Sequence, residues 1–198
     1  MLIGILAYQG AFAKHHEMLT ELNCHTLFVR SAEELFSCDA LIIPGGESTV
    51  IRKQMEKANL QESLALFAKA KPIFGTCAGL ILLAQERLLD VSVERNAYGS
   101  QLDSFSTPLT LQLPAHKATV EAIFIRAPKV VALLSPQVEV LATYQEAPVF
   151  VKQGHILGCS FHPELTKDRT IHQYFVEEVK HARSGKKRSL LGHRESYS

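Results

Sequence analysis

Gly75-Thr76-Cys77-Ala78-Gly79 sets a thiol between two glycines, where the apolar run "KPIFGT" stops and "AGLILLA" starts. A cysteine in that position is either a packed small hydrophobe or a nucleophile lifted out on a turn. The glycines favour the nucleophile. Losing the Cβ atoms two residues before and two after lets a strand reverse sharply into a helix, much as a serine is presented in a G-x-S-x-G elbow. The start of that helix adds partial positive charge at Cys77, which favours thiolate.

A nucleophilic thiol needs a base, and nine histidines compete for the role. His15 and His16 on the first helix, His116 beside a proline, and His181 and His193 near the carboxyl end all read as solvated surface residues. His162 differs, because "LGCSFHPE" reads as an apolar strand ending in His162-Pro163-Glu164. Residues two apart in an extended chain point the same way, so Glu164 can accept a hydrogen bond from one ring nitrogen and leave the other free to take the thiol proton. "LIIPGGEST" supplies a third part. A buried strand runs into two glycines and a helix start, where the amide of Gly46 can join that of Ala78 in holding an oxyanion. The same stretch also reads as an ordinary turn with Ser48 as N-cap.

These parts need a frame. "LIGILAY", "HTLFVR", "ALIIPGG" and "KPIFGT" are short apolar runs, each followed by a helical pattern ("AFAKHHEMLTELN", "SAEELF", Ser48 to Ala70, "AGLILLAQE"). That alternation predicts an α/β fold: three layers, with a mostly parallel central sheet between helices. From Val91 the texture turns β-rich ("VSVERNAYG", "LTLQLP", "TVEAIFIRAP", "VEVLATYQ", "PVFVKQGHILGCSFH"), which predicts a mixed or antiparallel extension closed by a helix near Asp168 to His181. One domain over 1–183 is expected, followed by a polar, basic and flexible tail over 184–198. With 198 residues, 46% hydrophobic and 21% charged, and a net charge of +1, the chain has no bulk attraction to nucleic acid or membrane. Four cysteines without a CxxC pairing fit reduced thiols in a cytoplasmic protein, and no signal peptide or membrane-length apolar run is present.

PGG, G-x-C-x-G and F-H-P-E in this order resemble the class I (triad) glutamine amidotransferases. "LAYQGAF", "PGGEST", "GTCAGLILLA", "VERNAYG", "FIRAP" and "GCSFHPELT" closely resemble the glutaminase subunits of pyridoxal phosphate synthase, over all but the tail. The resemblance implies hydrolysis of L-glutamine with Cys77 as nucleophile, His162 as base and Glu164 as its orienter. It implies that Gly46, Glu47, Ser48, Arg95, Ile125 and Arg126 bind glutamine. It also implies a (β/α)-barrel synthase subunit as partner in a large hetero-oligomer, docking near Gln9, and a reaction that needs no metal or organic cofactor. The connection "QERLLDVSVERN" is shorter than the family pattern. Two other readings stand beside this one: the glutaminase of another amidotransferase, and a silent scaffold that senses glutamine or binds a partner.

Overall fold

The four apolar runs of the first half become parallel strands; "LIGIL", "ALII" and "IFGT" are buried on both faces, whereas "HTLFV" lies at the sheet edge and is only partly buried. A computed structural model describes residues 1–95, 104–114 and 116–192, with side chains as far as Gly185. In chain order the elements are β1 (Leu2–Leu6), α1 (Phe12–Glu21), β2 (His25–Val29), α2 (Ala32–Ser37), β3 (Ala40–Ile43), α3 (Ser48–Lys57), α4 (Leu60–Ala68), β4 (Ile73–Thr76) and α5 (Ala78–Gln85). The second half adds β5 (Val91–Glu94), β6 (Ser104–Gln112), β7 (Lys117–Ile125), β8 (Lys129–Leu133), β9 (Glu139–Tyr144), β10 (Ala147–Gln153), β11 (Ile156–Cys159), a 3-10 turn (Pro163–Leu165) and α6 (Thr170–Gly192).

The main sheet has the order β2-β1-β3-β4-β11-β10-β9. Its first five strands are parallel, and β10 and β9 extend it antiparallel. Two antiparallel ribbons, β5 with β8 and β6 with β7, complete the β-rich half. Alternate residues of each central strand feed two cores. Ile3, Ile5, Ala40 and Ile42 pack with the α1, α6 and β6–β7 side, together with Phe74, Phe150, Phe161 and Phe175. Leu6, Leu41, Ile43 and Ile73 pack with α2 to α5 on the other. Each fully buried phenylalanine contributes roughly 1.5–3 kcal/mol, so the sheet is the rigid base for whatever its carboxyl edge carries.

Several boundaries differ from the sequence expectation. The amphipathic stretch from Ser48 to Ala70 is two helices, broken at Asn59, whose φ of 51° cannot continue an α-helix. Strand β8 was not expected at all. The closing helix continues to Gly192, so the segment expected as tail begins in helical form; His193 and the rest of that segment lie outside the described residues, as do Asn96 to Gly99 of "VERNAYG". The helix expected at "SAEELF" starts with a capping box: Ser31 accepts from the Glu34 amide, and Glu34 accepts from the Ser31 amide.

Gly79 and Gly185 provide a paired test of packing against propensity. Both are helical, but a Cβ on Gly79 would overlap the Ile43 carbonyl oxygen, whereas one on Gly185 would meet nothing within 4 Å. Alanine gains about 1 kcal/mol of helix propensity at either site, and the clash at Gly79 costs about 3 kcal/mol. Gly79→Ala is therefore expected to lower the urea midpoint and Gly185→Ala to raise it; a stabilised Gly79→Ala protein would contradict the packing described.

Candidate active site

Strand β4 delivers Cys77 to the carboxyl edge of the sheet, and α5 leaves from it at once. Cys77 sits at φ 48° and ψ −103°, a conformation that costs a non-glycine residue roughly 1–3 kcal/mol. Three features hold it there. Its N–H donates to the Cys159 carbonyl at 2.8 Å, a Cβ on Gly75 would stand 2.6 Å from the Gly79 carbonyl carbon, and Gly79 itself abuts Ile43. The glycine spacing thus closes the elbow as its sequence implies.

His162 faces the thiol. Its ring lines the same cleft as Cys77, its Nδ1 is 2.7 Å from Glu164 Oε1, and the Cys77 thiol itself donates to Ile125 O at 3.9 Å. The route differs from the extended strand expected. Strand β11 ends at Cys159, the His162 amide donates to Ile123 O at 2.8 Å, and Glu164 is swung under the ring by the 3-10 turn. Burial by itself lowers the His162 pKa, but the Cys77 sulfur and the Glu164 carboxylate outweigh it and push the imidazole up to about 10. Burial likewise works against the Glu164 charge, and His15 and then His162 overcome it, holding this carboxyl below the ordinary range.

The glycine loop after β3 is fastened from two sides. Gly45 donates its N–H to Thr76 Oγ1 at 3.1 Å, and its carbonyl accepts the Ala11 amide at 3.1 Å. Gln9 Oε1 accepts the Glu47 amide at 2.7 Å, which places Gln9 on the loop. Glu47, not Ser48, is the N-cap of α3, and no side chain caps that helix. The amide of Ala78, as the first residue of α5, has no acceptor within its helix.

A cleft of about 340 Å³ opens between these parts. It gathers Gln9, Gly46, Glu47, Ser48, Cys77, Ala78, Arg95, Ile125, Arg126 and His162, and adds Thr49 and Ile81, which sequence reasoning missed. Arg95 Nη1 donates to Thr49 Oγ1 at 3.2 Å. Arg126 takes a φ of 43° directly after β7. Glu164 does not line the cleft but lies beneath His162, 2% exposed. A larger cleft of about 540 Å³ along β6, β7 and Leu165 contains neither thiol nor imidazole.

His15 corrects the surface reading given to it. It is fully buried, with Nδ1 2.9 Å from His172 Nε2, and with Nε2 3.2 Å from Thr76 Oγ1 and 3.6 Å from Glu164 Oε2. Its neighbour His16 is the exposed one and bonds Thr26 at 2.7 Å. The available signal was helical phase: His15, Met18 and Leu19 are the buried face of α1. His172, which no motif covered, is equally buried.

The sequence from 5 to 181 matches the SNO glutamine amidotransferase family. It is 48% identical over 191 residues to the pyridoxal 5'-phosphate synthase subunit PdxT of Thermotoga petrophila, covering 91% of this chain and 100% of the relative. It is 45% identical over 187 residues to the PdxT subunit of Oenococcus oeni, covering 90% and 96%. A crystal structure of a glutamine amidotransferase superposes with a TM-score of 0.84 at 40% identity, over 90% of this chain and 98% of that one. PurLQS from Thermotoga maritima superposes at 0.68 with 16% identity, over 91% and 96%, a likeness of fold alone.

The buried histidines set an acid limit on stability. Burial, followed by the nearby His15, lowers the His172 pKa to about 3, and burial lowers that of His15 as well. Unfolded, both sit near ~6.5, so the unfolded chain binds more protons below that pH. The stability these two contribute is complete above pH ~6.5 and is lost as pH falls below it, for His172 down to about 3, by up to about 1.4 kcal/mol per pH unit for each. His162 acts oppositely: its contribution is complete below ~6.5 and fades as pH rises through about 10. Urea midpoints should therefore fall from pH 7 to pH 5, and His172→Phe should flatten that fall. A pH-independent midpoint in the unaltered chain would contradict the buried neutral pair.

Proposed function

The chain belongs to the SNO glutamine amidotransferase family, and we propose that it is the glutaminase subunit of a pyridoxal phosphate synthase, releasing ammonia from L-glutamine for a separate (β/α)-barrel synthase subunit. The observation that carries this reading is the strained Cys77 elbow facing the His162–Glu164 pair across one cleft. The PdxT names of relatives 45–48% identical support the pathway. Four free cysteines support a reducing, cytoplasmic setting.

In the proposed reaction Cys77 thiolate attacks the side-chain amide carbon of glutamine. The C=O electrons move to oxygen, and the oxyanion is held by the Gly46 and Ala78 amides. His162, an imidazolium beside the thiolate, gives its proton to the amide nitrogen as the C–N bond breaks and ammonia leaves. Water then attacks the γ-glutamyl thioester, giving a proton to His162, and glutamate departs as the thiolate is restored. Glu47, Ser48, Arg95, Ile125 and Arg126 hold the substrate in the cleft. Residues 1–183 act as one glutaminase domain.

Cys77→Ala should lower glutamate release by at least about 10³-fold while the far-UV spectrum and synthase binding stay unchanged; substantial residual hydrolysis would sink the assignment. Glu164→Gln should cost less than His162→Ala, because orientation is lost but the base survives. Gln9 yields a separate prediction. Its bond to the Glu47 amide fixes the glycine loop, so a synthase docking there can gate the oxyanion hole and prevent hydrolysis without an acceptor. The isolated chain should be nearly inactive, and Gln9→Ala should weaken activation by the synthase more than it weakens glutamine binding. A lone chain already at full rate would rule out the gate and leave the triad standing.

A further inference from the structure

Glu164 is satisfied on one side only. Oε1 faces His162 Nδ1 at 2.7 Å, whereas Oε2 is enclosed and has no hydrogen-bond partner within ordinary range. Nε2 of His15 lies 3.6 Å from Oε2 and 3.2 Å from Thr76 Oγ1, which in turn accepts the Gly45 amide at 3.1 Å. That one nitrogen is a branch point. One arm runs through Glu164 and His162 to Cys77, the other through Thr76 to the glycine loop that carries Gly46.

The proton on His15 follows from its neighbours. A lone pair at Nε2 would face a buried carboxylate oxygen, while an N–H there is attracted to it. With the proton on Nε2, Nδ1 accepts the Nε2–H of His172 at 2.9 Å. His172 Nδ1, enclosed without a partner, is then a bare acceptor and not an unpaired buried donor.

We propose that His15 is a positioning residue for the glutaminase reaction: its neutral ring, oriented by His172, directs an Nε2–H between Glu164 and Thr76, keeping the triad carboxylate charged and aligned and tying it to the oxyanion loop. This rests on the glutaminase reading of the same site. It assigns chemistry to a residue that does not touch substrate. The groups facing Glu164 are His162 on its own turn, His15 on α1, His172 on α6 and Cys159 on β11, and His15 Nε2 is the ring nitrogen nearest the unpaired Oε2, at 3.6 Å.

The test exploits reach. A glutamine side chain at position 15 puts an amide N–H near the Nε2 position, whereas an asparagine reaches only the Nδ1 position. In the complex with the synthase subunit, His15→Asn should lower kcat for glutamine about tenfold with KM within about twofold, while His15→Gln keeps at least about a third of kcat. In the isolated chain, carbon NMR of the glutamate carboxyls should place the Glu164 midpoint higher in His15→Asn than in the unaltered chain, and unchanged in His15→Gln. Equal kcat losses in the two variants, or a Glu164 midpoint in His15→Asn equal to that of the unaltered chain, would overturn the proposal. The carboxyl titration needs no turnover, so an unaltered chain that fails to hydrolyse glutamine even with synthase would refute the glutaminase reading while His15 is still decided.

Discussion

The backbone at Cys77 is the constraint on which the site depends. A cysteine does not adopt φ 48° and ψ −103° unaided, and the cost is met by contacts available only in this fold. Parallel pairing of β4 with β11 brings the Cys159 carbonyl to the Cys77 amide. Pairing of β3 with β4 brings the Ile43 carbonyl against Gly79. The elbow is therefore a consequence of strand order, and Cys77 as a residue is only 7% exposed, with two neighbouring strands gripping the turn that carries it.

Beneath the elbow the protein buries His15, Thr76, His162, Glu164 and His172, and burying polar groups is unfavourable unless they pair. Here they pair mostly with one another. Thr76 closes the circuit, since the residue before Cys77 both accepts from the glycine loop and meets His15. The polar groups beneath Cys77 are thus already oriented, and preset dipoles need little reorganisation when charge shifts beside them. The opposed pKa shifts agree with this division. His162, facing sulfur and carboxylate, gains basicity; His15 and His172, where burial outweighs the pull of the Glu164 carboxylate, lose it.

What the sequence disclosed was what periodicity and glycine spacing encode. The four β-then-α alternations of the first half, the elbow and the "PGGEST" loop were legible, because each is a local pattern of sterics and burial. Less legible was whatever depends on phase or on distant pairing. His15 and His16 are adjacent and chemically identical, and only the helical register of α1 sends the first into the core and the second to Thr26. The Glu164 contact was anticipated for a wrong geometric reason, since a 3-10 turn and not an extended strand aims it. Strand β8 escaped notice because "KVVALL" is short and exposed over much of its length; it is a strand because β5 pairs with it.

The connection after α5 is held from outside the site. It leaves α5 at Gln85, eight residues or about 12 Å along the helix from Cys77, and it is locked in place by the other half of the protein. The Asp90 amide donates to Gln153 Oε1 at 2.8 Å, Gln153 Nε2 donates to Asp90 Oδ2 at 2.6 Å, and Asp90 O accepts the Leu134 amide at 2.8 Å. Leu89 is buried in the core beside α5. Its length therefore bears on where β5 begins, hence on where Arg95 stands at the cleft rim against Thr49. Cys77 is insulated, because its position is set by β3, β4 and β11, whose register the connection does not enter.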